Sequence, residues 1–521
     1  MEHSATPLIP VYQLGLDDQI SPVVSLDEMI EQNLANLGLP QFIQVILISL
    51  LLIFESQQTF ISVYTDEEPT WHCINNTTTC SSSSDICTLS KSAWAWDRPS
   101  DTTIISDWSL ECAGSSILSG LPSSCFFIGC LLGGLALSTL GDSSSLGRKK
   151  LLFLSCFAMS ITALATIFAN NIWIYSTIRF VAGFFRAPIM TSVIVLLSEM
   201  VSKRWRGQVV IIGFTFFSFG LVSLPAVAYL SRGSSWKMLY VWTSIPSIVC
   251  CIIIYPFISE SPRWLFIHGH EAEAMAVLKR LASRSNYQSD YGLESCCLSN
   301  MPPKAKNVIP KLDLYSSLKD LFNRKWALRR LLTIMALAFG IGVVYFGLLL
   351  GVGNLSFNIY LSLAFNGLLD IPAYLLTFIL IERWSRKSSI LTFCILSGTC
   401  SAICVAIGDE QEVLQIGLEL ASFFSACVAF NVLLVFGTEL FTTCVRNSTT
   451  SLVRQAVNLG AAFSPVLISA GRQNEFLSFG VFGLVVFCFG FFVVFLPETI
   501  GVTLCDTLDQ QEYFKTGGEL C

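Results

Sequence analysis

Apolar residues run along this chain in stretches of about twenty, separated by shorter polar segments. A helix needs roughly 20 largely apolar residues to cross a bilayer. Twelve stretches meet that need: 41–64, 117–140, 151–170, 172–200, 208–230, 236–258, 329–351, 356–381, 389–407, 413–439, 451–470 and 476–497. The pattern predicts an all-α membrane protein. The first stretch contains "LISLLLIFESQQTFISVY", with Glu55 in its middle. At about 100° per residue, Gln41, Gln44, Thr59 and Ser62 fall within roughly 40° of Glu55, and Gln58 within about 60°. The span therefore has one polar stripe, and a stripe of that kind faces a bundle interior or a water-filled cavity.

The polar connections divide by charge. One set holds Arg148, Lys149 and Lys150; Lys203, Arg204 and Arg206; twelve Lys/Arg between Arg263 and Arg330; and Arg383, Arg386 and Lys387. The short loops of the other set hold little beyond Arg232, Lys237 and Arg472. Basic loops mark the cytoplasmic side, and an even number of spans then places both termini there. The expected organisation is a cytoplasmic tail (1–40), a six-helix bundle (41–258), a cytoplasmic linker (259–328), a second six-helix bundle (329–497) and a cytoplasmic tail (498–521). The linker is basic and partly helical at "HEAEAMAVLKRLASR". On the far side, loop 65–116 is acidic and Ser/Thr-rich, with Cys73, Cys80, Cys87 and Cys112. Four cysteines in an oxidising loop allow two disulfides in three pairings. Asn75, Asn76 and Asn354 begin N-x-[ST] sequons on this side, so glycosylation is expected there.

Composition agrees with the apolar pattern. The chain is 53% hydrophobic and 13% charged, against about 25% charged in ordinary soluble domains. The net charge of −6 adds little, because the charges sit in blocks between spans. The first 40 residues lack Lys and Arg, and no cleavable signal peptide is expected.

An internal repeat emerges next. "SEMVSKRWRG" places Arg206 seven residues after Glu199, and "TELFTTCVRN" places Arg446 seven after Glu439, a displacement of 240. "GRKK" at 147–150 corresponds to "SRKS" at 385–388, and Glu260 to Glu498, each displaced by 238. The matches follow the second and eighth, fourth and tenth, and sixth and twelfth spans. Two parallel six-helix halves are the expectation, as in the major facilitator superfamily.

"ESPRWL", "LPETIGVTLCDT", "DWSLEC", "NIYLSLAFNGLLDIPAY" and "ELFTTCVRN" together resemble the organic cation/carnitine/organic anion transporter family. The "SSSLGRKK" form of the first loop resembles its plant branch. The resemblance spans nearly the whole chain. It implies a secondary active transporter of small organic cations or zwitterions, such as carnitine-like compounds, choline or polyamines, working by alternating access. A monomer in the lipid bilayer is expected, with no cofactor, metal or nucleic acid. Relatives carry G-x-x-x-D-R-x-G-R-[KR] after the second span. Here "LGDSSSLGRKK" keeps Asp142 and Arg148 but has Ser143 for the Arg and two extra residues, so a looser latch is expected. "ERWSRK" keeps the spacing in the second half, with Glu382 and Arg386. The gating set is therefore Asp142, Arg148, Glu199, Arg206, Glu382, Arg386, Glu439 and Arg446.

The fourth span carries Arg179 and Arg186 in "RFVAGFFRA". At about 1.5 Å per residue, Glu55 and Arg179 both lie roughly 12–14 Å below the far surface. Arg179 is thus the expected partner, in a pair that takes up and releases a proton; a static bridge is the competing reading. The resemblance also implies that Asp370, before helix-breaking Pro372, lines the substrate cavity with Tyr345 and Phe346. Asn458 stands where cation-selective relatives have Asp and anion-selective ones Arg. With Arg454 one turn earlier, and Gln58 beside Glu55, it completes the expected substrate site, which suits a zwitterion. Glu419, near the far surface, reads as interfacial.

The four His lie at 3, 72, 268 and 270, outside the spans and in no catalytic pattern, so an enzyme is not expected. The chain has no Gly-Lys dipeptide and hence no phosphate-binding loop of that kind. A hexose–proton symporter and a non-transporting sensor on the same fold are the alternatives. Vacuolar and plasma membranes are equally compatible with the sequence.

Overall fold

A computed structural model describes residues 31, 34–74, 80, 86–112, 117–137, 146–282, 321–354, 357–407, 411–442, 445–471 and 475–500. Asp142, Asn75 and Asn76 lie outside these residues. The first half holds α1 (Leu39–Phe60), α2 (Ile117–Leu137), α3 (Arg148–Ala165), α4 (Ile172–Glu199), α5 (Arg206–Leu230) and α6 (Trp236–Ile254). The second holds α7 (Lys325–Leu350), α8 (Ile359–Arg383), α9 (Arg386–Ile407), α10 (Glu412–Glu439), α11 (Arg446–Gly471) and α12 (Glu475–Gly490). Eleven of these stretches are long and apolar enough to span a membrane; α12 is shorter and continues as the 3₁₀ segment Phe491–Phe495.

Local signals set the helix starts. Asn171 caps α4 by accepting from the Ile174 N–H at 2.9 Å. Asn358 caps α8 through Tyr360 and Leu361. Such side chains satisfy N–H groups that have no partner inside the helix. Proline does not end these helices: α8 runs unbroken through Pro372, and α11 through Pro465. Packing between membrane helices re-satisfies what proline frees.

The repeat reappears in the packing. Helix α1 packs on α5, α2 on α4, and α3 on α4 and α6; six helices on, α7 packs on α11, α8 on α10, and α9 on α10 and α12. The halves meet where α2 runs along α11 and α5 along α8. Small residues allow close approach, as is usual between membrane helices. On α2, a Cβ at Gly129 would come within 2.1 Å of the Phe180 carbonyl oxygen, and one at Gly133 within 2.2 Å of that of Phe184. On α4, a Cβ at Gly183 would meet the Phe126 carbonyl at 1.9 Å. At the seam between halves, Gly120 lies against Pro465 and Ser469, and the Ser119 hydroxyl donates to Ser469 at 3.2 Å.

One face bears the long loop between α1 and α2. Its strands β1 (Trp71–Cys73) and β2 (Trp94–Trp96) pair antiparallel. Disulfides join Cys73 to Cys80 and Cys87 to Cys112, one of the three pairings open from sequence. Asp107 accepts the Trp236 indole N–H at 3.1 Å, and Trp108 packs edge-on against Tyr175 and Trp236. The "DWSLEC" motif thus fastens the loop to α4 and α6. The opposite face carries the basic loops and the short helices Pro262–Ile267 and Glu271–Leu281. The second of these has Glu271 and Glu273 in its first turn and Lys279 and Arg280 in its last, the arrangement its dipole favours.

Candidate functional site

The polar stripe on α1 turns inward. Gln41, Gln44, Glu55, Gln58, Thr59 and Ser62 are all buried, Glu55 to 1% exposure. A cavity of about 90 Å³ lies between the halves. Its wall includes Glu55 and Arg186 from the first half and Tyr345, Phe346, Arg454 and Asn458 from the second. Phe214, Phe217, Tyr374, Phe430 and Asn431 complete most of the lining. Five of the expected residues therefore converge: Glu55, Tyr345, Phe346, Arg454 and Asn458.

Glu55 pairs with Arg186, whose Nη2 lies 3.1 Å from Oε1, and not with Arg179. Arg179 is fully buried elsewhere. Its Nη1 donates to the Gln58 carbonyl at 3.2 Å, its guanidinium lies 4.3 Å from the centre of the Phe126 ring, and Asp66 is an electrostatic neighbour. Arg179 and Arg186 are seven residues apart and share a helix face. Counting depth along straight helices ignored the reach of the arginine side chain, which extends several ångströms along apolar surface. Oε2 of Glu55 and Nε of Arg186 have no hydrogen-bond partner, so the pair retains unused hydrogen-bonding capacity beside the cavity.

Two other expected substrate residues lie off the cavity wall. The Gln58 amide donates to Thr243 and Ser244 on α6, at 3.0 and 3.3 Å; it ties α1 to α6. Asp370 is fully buried and accepts from the Cys427 thiol at 3.1 Å and the Ser218 hydroxyl at 3.4 Å. Tyr374, one turn on and hydrogen-bonded to Asp370, lines the cavity instead. Glu419 is not interfacial: it is fully buried, 3.0 Å from the Asn366 amide.

Aromatic rings shape the cavity. Tyr345 stacks on Phe430 at 4.7 Å and meets Phe346 edge-on at 5.1 Å. Phe214 of α5 stacks on Tyr374 of α8 at 5.3 Å, across the halves. Toward the disulfide-bearing face, Phe346 contacts Phe60 and Phe127, and beyond them Tyr64 stacks on Tyr360 at 5.3 Å. Toward the basic face, Arg454 donates to Thr191 at 2.6 Å, again across the halves. A separate recess of about 410 Å³ on the disulfide face includes Asp66, Glu67, Glu68 and Asn354. The Asn354 amide is engaged there with the Ile468 carbonyl at 3.2 Å.

The repeat-matched charges of the basic loops form two matching clusters, each within one half. In the second half Arg386 makes two bonds to Glu439, each 3.1 Å, and Thr499 adds a third at 2.7 Å. Glu498 accepts from Ser385 and from the Arg386 and Lys387 backbone N–H groups, capping α9. In the first half Glu260 accepts from the Lys149 N–H at 2.9 Å, capping α3, while Arg148 lies 3.9 Å from Glu199. The two acids matched by the repeat spacing, Glu199 and Glu439, thus face Arg148 and Arg386, the two arginines matched by the other repeat. Glu382 is exposed and stands apart from the Arg386–Glu439 pair. Glu260 and Glu498 were visible as repeat partners, but their capping role needed the folded arrangement. Glu498 lies beyond the last span. Burial pushes its carboxyl up, but the bonds from Ser385, Thr499, Arg386 and Lys387 outweigh this and hold it below its ordinary value.

Twelve helices in two pseudo-repeated halves around a polar, aromatic cavity define a membrane transporter of the major facilitator fold. The model of the "Sugar (and other) transporter" family matches residues 63–508. The xylose transporter XylE from E. coli, in an inward-open structure, superposes with a TM-score of 0.60 at 15% identity, covering 89% of this chain and 98% of that one; this likeness concerns the fold. Among curated relatives, organic cation/carnitine transporter 2 from Arabidopsis thaliana is 48% identical, covering 96% of this chain and 97% of its own. Organic cation/carnitine transporter 3 from the same plant is 46% identical, covering 98% of each. The chain belongs to the organic cation/carnitine transporter family.

Proposed function

We propose that this transporter carries small organic cations or zwitterions, of the carnitine, choline or polyamine kind, by alternating access with proton coupling at Glu55. The observation that carries the reading is the chemistry of one cavity: a carboxylate, two guanidinium groups and several aromatic faces. An ammonium over such a face gains about 0.5–2 kcal/mol, and Glu55 adds attraction. The carboxylate of a zwitterion suits Arg454, and neutral Asn458 and Asn431 supply hydrogen bonds without a second fixed charge. Asp370 acts on the site through Tyr374. The names of the close relatives support this substrate class over a hexose.

In the coupling step Glu55 exchanges its Arg186 partner for a proton. The charge clusters of the basic face, Arg148–Glu199 and Arg386–Glu439, bias the conformational equilibrium. That face is cytoplasmic, with both termini, on the distribution of Lys and Arg; the target is a vacuolar or plasma membrane. Asn75, Asn76 and Asn354 are the glycan acceptors.

Competition in proteoliposomes tests the substrate class: carnitine, choline, polyamines, hexoses and aromatic carboxylates against a labelled cation, at two pH values. Displacement by hexoses alone refutes it. Glu55→Gln membranes assayed with and without a pH gradient test coupling. Gradient dependence equal to that of the unmodified protein removes Glu55 from the proton step.

A further inference from the structure

The second half contains a carboxyl group that the cavity does not use. Glu419 lies seven residues into α10 and Asn366 seven residues into α8, at matching depth, and both are fully buried. Asn366 Nδ2 donates to Glu419 Oε1 at 3.0 Å. The remaining oxygens, Glu419 Oε2 and Asn366 Oδ1, are buried without a partner. Both are acceptors, so a carboxylate and an amide cannot satisfy each other completely. Rotating the amide exchanges its ends and leaves the same deficit. A proton on Oε2 resolves it: the acid O–H donates to Oδ1, and the amide N–H donates to Oε1. Two orphaned buried groups are satisfied at once, each otherwise costing about 1–3 kcal/mol.

Among the described residues, no cation offers an alternative. The titratable neighbours are Cys427 on α10 and Asp370, one turn further along α8. The described basic residues of the packed helices are toward their other ends: Lys325, Arg329 and Arg330 on α7, Arg383 on α8, Arg386 and Lys387 on α9, Arg446 and Arg454 on α11. Glu412 is two turns nearer the surface and adds only negative charge. An unpaired buried carboxylate is costly, and taking up a proton removes that cost.

We propose that Glu419, held by Asn366, is a proton-binding site in the second half, separate from the Glu55–Arg186 pair. Ser362, Asn366, Asp370 and Tyr374 recur every four residues along one face of α8, and Tyr374 reaches the cavity. This row of exchangeable groups links the site to the transport path. The proton comes from hydronium: one O–H bond breaks there, one forms on Glu419 Oε2, a water molecule is released, and no oxidation state changes. The site does not depend on which substrate is carried.

Infrared difference spectra of the purified full chain in lipid nanodiscs, at neutral pH in H₂O and D₂O, test this directly. The expected result is a deuterium-sensitive carboxylic-acid C=O band that is lost in Glu419→Gln and kept in Glu55→Gln. Glu419→Gln also keeps its melting temperature within about 2 °C, because an amide pair preserves both ring bonds, whereas Glu419→Ala melts clearly lower. Should the single glutamine variant fail to fold, the exchange Glu419→Gln/Asn366→Asp restores an acid–amide ring and keeps the band. Loss of carboxylate bands instead, with the acid band unchanged, overturns the proposal. So does a sodium-dependent melting temperature that vanishes in Glu419→Gln, which marks an alkali-cation site.

Discussion

Glu55 and Arg186 provide a quantitative test of the cavity. Their N–O distance of 3.1 Å corresponds to charge centres about 4 Å apart, worth about 4 kcal/mol at an effective dielectric constant near 20. Glu55→Gln removes the only carboxylate among the described residues of the cavity wall and leaves Arg186 and Arg454 facing each other, so a loss of about 3–4 kcal/mol is expected. Arg186→Gln is milder, about 2–3 kcal/mol, because Arg454 still acts electrostatically on Glu55. The double variant restores part of the loss, giving a coupling energy of about 2 kcal/mol. Equilibrium unfolding in mixed micelles measures all four corners of this cycle. A parallel cycle with Arg179→Gln is the control, and its coupling to Glu55 should stay below about 0.5 kcal/mol. Strong coupling to Arg179 with weak coupling to Arg186 refutes the pairing described here.

The two charge clusters are unequal, and their variants should differ accordingly. Glu439→Gln breaks a two-bond pair and is expected to cost about 1.5–3 kcal/mol, while Glu199→Gln, with one contact at 3.9 Å, costs at most about 1 kcal/mol; melting temperatures rank them. Gly183→Ala forces α2 from α4 and costs at least about 1–3 kcal/mol, whereas Gly207→Ala, with its nearest neighbour at 3.8 Å, stays within about 0.5 kcal/mol. Glu498 is held below its ordinary value of 4.5, so its contribution is complete above that pH and fades as pH falls through the lower folded value. Glu498→Gln should therefore be less stable than the unmodified protein at neutral pH and show a shallower decline below about pH 4.5.

Helix number, the half-to-half repeat and the inward face of α1 were all legible because each is a periodic signal. Pairing was harder. Arg179 and Arg186 share a helix face, and only side-chain reach and packing decide which meets Glu55. Gln58 lies on the fringe of the polar stripe, a modest rotation that directs it to α6 instead of the cavity. Asp370 carries the family motif but uses Tyr374 as its contact with the cavity. Glu419 looked interfacial because residue counting locates depth along a helix but does not reveal that Asn366 covers the group from α8. The aromatic wall was partly legible: Tyr345 and Phe346 came from a motif, Tyr374 closes the quoted "LLDIPAY" stretch without a role of its own, and Phe430 was hidden among 39 Phe.

The seam at Gly120 has a mechanical consequence. Backbone meets backbone at that point, with the short hydroxyl side chains of Ser119 and Ser469 beside it. Separation therefore needs little rotamer rearrangement, and the newly wetted carbonyls and hydroxyls find water at once. Such a joint can part and reclose many times with little friction, whereas one bulky side chain at Gly120 would wedge it ajar.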